Sequence, residues 1–128
     1  VKSETHGLTH HGNEPQKVAE LRNIEEAQLK AFAGFLKDLS ETPRSGGNLL
    51  DLTQVLYGSC LGDANSHSNQ NLPILLAGGG FKHGSHLAFD RGNNTPLANL
   101  FVSMLQRLGI AAEKFASSTG SLKGLETA

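Results

Sequence analysis

Apolar and polar residues follow two distinct rhythms along this chain, and each predicts a different element. After Pro15 the apolar positions are Val18, Leu21, Ile24, Phe32, Phe35, Leu36 and Leu39, with Ala27, Gln28 and Ala31 bridging them. Spacing of three and four over that length predicts one long amphipathic helix. Glu20, Glu25, Glu26, Lys30, Lys37 and Asp38 occupy its other faces. Asn13 or Glu14 can cap it, and Pro15 suits its first turn, where a missing N–H costs nothing. Pro43 and the pair Gly46-Gly47 end it. A second helix starts from Thr95 and Pro96 and runs through Leu97, Leu100, Phe101, Met104, Leu105 and Leu108. It stops at Gly109. Both apolar stripes are expected to face the core.

The second rhythm is that of strands. Residues 53–59 are β-branched and aromatic after a glycine turn, and they read as a strand. Residues 72–77 are an unbroken apolar run, expected as a strand buried on both faces, with Pro73 at its beginning. A polar loop, residues 60–71, joins the two. Gly78, Gly79 and Gly80 form a turn, and residues 82–89 a short hairpin that carries His83 and His86 on the surface. Residues 1–13 read as an irregular, histidine-rich leading segment. Residues 111–128 are weakly patterned, with one helical turn at Glu113-Lys114-Phe115 and a loop over 117–124. The order helix, strand, loop, strand, helix predicts an α/β fold with two main strands and two main helices. Two strands make a poor sheet. The remainder is therefore expected from residues outside this chain, or from another copy in a homo-oligomer that covers the free edge.

Composition narrows the function. The chain has 128 residues, the size of one domain, and a net charge of −1. No basic excess is available for general nucleic-acid binding. Its single cysteine, Cys60, rules out an internal disulfide and a cysteine-built zinc site. That residue is expected to pack as a small, partly buried side chain. The longest apolar run, residues 72–81, is broken by three glycines and is too short to span a bilayer. No basic-then-apolar export signal opens the chain. It begins with Val1, and residues 1–128 are expected to be a single unit cut or processed from something larger.

Six histidines stand out by position. His6, His10 and His11 precede the long helix, and Asp63 and His67 occupy the loop after the first strand. Ligand-binding residues of α/β proteins gather in such loops. Carboxylate and imidazole suit a divalent cation such as zinc, manganese or calcium. Asp63 and His67 are four apart, as are His6 and His10, so each pair can approach one ion from a single turn. A plainer reading stands beside this one. Asp63 can organise its own loop through Asx-type bonds, and His10 or His11 can satisfy backbone N–H groups ahead of the helix. The glycine triplet lacks the Lys-Ser/Thr ending of a phosphate-binding P-loop.

Three segments carry a family resemblance. They are Leu8-Thr9-His10-His11-Gly12-Asn13-Glu14-Pro15, Leu56-Tyr57-Gly58-Ser59-Cys60-Leu61-Gly62-Asp63-Ala64-Asn65-Ser66-His67, and Asn71-Leu72-Pro73-Ile74-Leu75-Leu76-Ala77-Gly78-Gly79-Gly80. In this order they are similar to the C-terminal part of a bacterial secreted family, domain-of-unknown-function family fifteen-fifty-two. Thr95-Pro96-Leu97-Ala98-Asn99-Leu100 and Ser118-Thr119-Gly120-Ser121-Leu122 fit its ending. That family in turn resembles the alkaline-phosphatase-like superfamily, which includes sulfatases.

The resemblance implies a partial three-layer α/β/α sandwich, an upstream part of the same protein that completes it, and an exported location. It also implies a metal site for phosphate or sulfate ester chemistry, with His10 or His11, Asp63 and His67 as ligands. The superfamily's nucleophile falls upstream, so the isolated chain is expected to be inactive. Two positions depart from the superfamily pattern. Ala64 stands where a histidine follows the aspartate, and His6 stands where an aspartate precedes His10 by four. The alternative is a non-catalytic secreted or cell-surface domain that keeps the fold and uses its polar loops for binding or structure.

Overall fold

The structure, a computed structural model, describes residues 4–127. Residues 1–3 and 128, the extremes of the leading segment and the tail, lie outside the described residues. What remains of the leading segment is not irregular. Helix α1, Thr5–Thr9, is a short coil of one turn and little more, fastened by Leu8, which is 1% exposed. A helix this short draws its stability from docking, not from propensity, so no periodic pattern announces it. It packs on α2, Pro15–Glu41.

Helix α2 follows the predicted limits. Glu14 is its N-cap residue but makes no side-chain cap bond. Thr42 ends it, with its hydroxyl donating to the Asp38 carbonyl at 2.7 Å. The expected core stripe is only partly covered. Leu39 is buried, whereas Val18 and Phe35 are exposed.

A small hairpin follows, β1 Pro43–Arg44 with β2 Gly47–Asn48, too short for periodicity to reveal. A 3-10 turn, Leu50–Leu52, leads into β3, Gln54–Gly58. Strand β3 pairs antiparallel with β4, Ile74–Gly78, and Leu56 lies opposite Leu76. The predicted start at residue 72 is too early. Pro73 has no N–H to give, and its carbonyl only accepts from Ser59 N–H at 3.3 Å. Nor is β4 buried on both faces, because Leu75 is 48% exposed. Phe32 of α2 stacks on Tyr57 of β3 with ring centres 4.7 Å apart, which seats the long helix on the sheet.

Helix α3, Ala98–Arg107, carries half of the buried apolar residues, Ala98, Leu100 and Val102; the others among the described residues are Leu8, Leu39 and Phe81. Arg107 Nε donates to the Gly79 carbonyl (2.8 Å) and Gln54 Nε2 to that of Met104 (3.0 Å), which tie α3 to the ends of the sheet. The glycine turn is as expected. Gly78, Gly79 and Gly80 all have positive φ, between 64° and 71°. A Cβ on Gly78 would run into the carbonyl oxygens of Thr53 and Leu50.

Three local expectations are corrected. Residues 82–89 form no hairpin; the segment is held instead by His83 Nε2, which donates to the Gly78 carbonyl at 3.1 Å. Residues 113–115 form no helical turn. Phe115 meets Phe101 edge-on and Asn99, which is buried, binds Thr119 through both ends of its amide, so side-chain anchors order this tail. Cys60 is exposed, because the loop that carries it leaves the sheet toward solvent.

The described residues thus form a mixed α/β chain of three α-helices and two antiparallel two-stranded sheets. None of their helices is long and apolar enough to cross a membrane. The chain exposes 8903 Å². A compact monomer of 13.6 kDa exposes roughly 6,600 Å². Exposed apolar side chains lie on α2 (Val18, Leu29, Phe35) and β4 (Leu75), and also on β3, on the segment after β4 and beyond α3 (Leu56, Phe89, Ile110 and Phe115). Beside β4 lies an open cleft of about 1660 Å³, lined in part by Leu75, Leu97, Leu100, Leu122 and Leu125.

Candidate metal centre

The site is assembled from two pieces far apart in sequence. The first is the corner between α1 and α2. His6 lies within α1 and His10 is its C-cap residue, with φ −93° and ψ 52°. Gly12 and Asn13 both adopt left-handed backbone, φ 54° and 62°, which turns the chain sharply into α2. The second piece is the tip of the loop between β3 and β4. Asp63 and Ser68 pair across its neck, and His67 N–H donates to the Ala64 carbonyl at 3.3 Å to close the tip. His67 itself sits at φ 55°. A left-handed backbone costs a non-glycine residue roughly 1–2 kcal/mol.

These pieces touch. His10 Nε2 and His67 Nε2 are 3.1 Å apart across 57 residues of sequence. Their ring centres are 4.7 Å apart and the planes nearly perpendicular, at 83°. A second link runs beside the first: Gly12 N–H donates to Asn65 Oδ1 at 3.0 Å. The corner and the loop tip are therefore held together by backbone and side chain alike.

Not every expected ligand faces this junction with a free donor. His11 Nδ1 accepts from Asn13 N–H at 3.0 Å, so one of its nitrogens stabilises the turn ahead of α2. That is the plainer role foreseen for it. Asp63 likewise organises its own loop. Its Oδ2 accepts from Ser66 Oγ at 2.7 Å and its Oδ1 from Asn65 N–H at 3.0 Å. The carboxyl is held below its ordinary value of 3.8, chiefly by the Ser66 hydroxyl, with the Asn65 and Ser66 N–H groups and the charge of nearby His11 adding to the effect. Partial desolvation works the other way without prevailing.

Comparison with family models, with curated proteins and with solved structures finds no match to this chain. The chemistry of the site rests on its own geometry. Two imidazole nitrogens bound to one tetrahedral zinc at about 2.0–2.1 Å stand roughly 3.3–3.4 Å apart. The His10–His67 pair is already close to that separation at 3.1 Å. At this distance one ring nitrogen donates and the other accepts, and an accepting ring offers the lone pair that a metal ligand needs. The donor pair therefore fits a metal. Among the described residues, however, no group of three or more His, Cys, Asp or Glu side chains is gathered to hold one ion as it stands.

His6 was paired with His10 by spacing but stands outside the ligand set that the resemblance implies. Its ring centre is 4.9 Å from that of His10, at 73°. The available signal was the four-residue offset from His10, which matters once a short helix is known to carry both.

Proposed function

We propose that this chain is the metal-binding part of an alkaline-phosphatase-like hydrolase domain, exported from the cell. In the parent protein an upstream part completes the three-layer sandwich and brings the nucleophile. The observation that carries the reading is the 3.1 Å approach of His10 Nε2 to His67 Nε2 across 57 residues of sequence. The left-handed backbone at His67 adds to that argument, since strain tends to persist at working sites.

In this reading His10 and His67 hold the ion, and Asp63 and His11 brace the loop and corner that present them. The ion would supply positive charge for a phosphate or sulfate ester oxygen. What the chain's own residues do is fix the separation of the two imidazoles through the Gly12–Asn65 bond and the Asp63 turn. The superfamily pattern wants a further histidine where Ala64 stands, and this favours a second reading: a non-catalytic exported domain that retains the fold for binding.

Metal analysis separates them. The purified chain is expected to retain close to one equivalent of a divalent metal after gel filtration and to lose it on chelation. His67→Gly, which keeps the left-handed backbone and removes the donor, is expected to retain none. A wild-type chain that retains no metal would sink the hydrolase reading and leave the binding domain.

A further inference from the structure

Two imidazoles alone hold a metal weakly, and the molecule places a third beside them. His6, His10 and His67 form a continuous run of rings, 4.9 Å and then 4.7 Å between centres, with His10 in the middle. His6 lies about one helical turn before His10. Side chains four apart rise from one face of a helix, and histidines at that spacing can grip one ion together. The backbone beneath them is fixed. Leu8 is buried between the two, and Thr9 Oγ donates to the His6 carbonyl at 2.7 Å. The His6 ring, in contrast, is exposed. It can turn about its side-chain torsions onto an ion held by its neighbours without displacing packed atoms.

The Asp63 carboxylate is turned to its own loop. Both carboxylate oxygens of Asp63 accept hydrogen bonds from within its own turn. The ring run offers nitrogen only. Imidazole nitrogen favours zinc, cobalt(II) and nickel(II), whereas calcium, magnesium and manganese(II) require oxygen.

Resting on the metal-binding reading above, we propose that His6, His10 and His67 form an all-imidazole site for a dication of the zinc class, with Asp63 and His11 as positioning residues outside its coordination shell. Three nitrogens leave the fourth tetrahedral position open, the arrangement in which a metal takes water or an anionic oxygen.

The test is titration of the whole chain with cobalt(II), read by its visible absorption, followed by competition with zinc and then with calcium or manganese. His6→Ala is expected to weaken cobalt binding by at least about tenfold, since losing even an outer-shell partner of a ligand costs roughly 10–100-fold. His86→Ala, at an exposed histidine outside the ring run, is expected to stay within about threefold of wild type, less than that outer-shell cost. Excess calcium or manganese should displace nothing. Wild-type affinity in His6→Ala, with binding still lost in His67→Gly, overturns the third ligand and leaves the two-histidine reading standing. Displacement by calcium or manganese overturns the all-nitrogen set. No cobalt uptake by the wild type, or uptake indifferent to His67→Gly, removes both readings together. Far-UV circular dichroism of each variant separates loss of a ligand from loss of fold.

Discussion

At the scale of single residues, the candidate site shows how a spacing argument finds the right loops and misassigns some of the atoms. Asp63 and His67 share an offset that suggests two ligands of one ion. Yet residues 64–66 supply a hydroxyl and N–H groups so close to Asp63 that its carboxylate is consumed locally. That outcome was legible, because Asp followed by Asn and Ser is an Asx-turn composition. The meeting of His10 with His67 was expected only from the family resemblance, since nothing in either segment's own pattern encodes the other's position. The Asp63 bonds give a pH prediction. The carboxyl is held below 3.8, so its ionised form favours the folded loop. That contribution is fully present above about 3.8, the ordinary value, and is lost as the pH falls through the lowered one. Ser66→Ala removes the largest cause, and the Asp63 carboxyl should then titrate closer to 3.8 when followed by carbon-13 NMR. An unmoved midpoint would show that the hydroxyl is not what holds it down.

Elements long enough to repeat a pattern were legible, and shorter ones were not. α2, β3 and α3 lie where periodicity puts them, because each repeats its pattern for several turns or a full strand, although only α3 buries several residues of its stripe. α1 and the β1–β2 hairpin escaped, since Leu8 and a tight glycine turn each do the work of a whole stripe. The glycine triplet is the junction where sheet and α3 meet, and its tolerance is testable. Gly78→Ala places a methyl against the Thr53 and Leu50 carbonyls in a left-handed backbone. Backbone strain and overpacking together should cost about 2–4 kcal/mol in denaturant unfolding. Gly84→Ala is the control. Its φ is also positive, at 88°, but a Cβ there meets nothing within 4 Å, so only the strain of about 1 kcal/mol remains. Equal losses at the two sites would mean that the close approach at Gly78 is absent in solution.

Over the whole molecule, the decisive quantity is surface. The chain exposes roughly 2,300 Å² more than a compact chain of its mass should. That excess per chain lies in the range of obligate interfaces, which bury 2,000–5,000 Å² or more over both partners, and far above a crystal-type contact. Sequence patterning implied this shortage of cover, since two strands and a long amphipathic helix ask for a further layer. It could not say where the gap opens. The gap lies along β4, whose residues from Ile74 to Gly78 include no lysine or proline to guard the edge. In the parent protein, as proposed, upstream residues fill this gap; in the isolated chain the nearest substitute is a second copy. Sedimentation velocity should therefore show concentration-dependent association, accompanied by binding of a dye that reports exposed apolar surface. Leu75 points outward and is 48% exposed, so Leu75→Lys should change monomer stability by no more than about 0.5 kcal/mol while abolishing the association. A clean monomer at every concentration, with no dye bound, would mean that the long helix closes over the sheet in solution and that no further layer is needed.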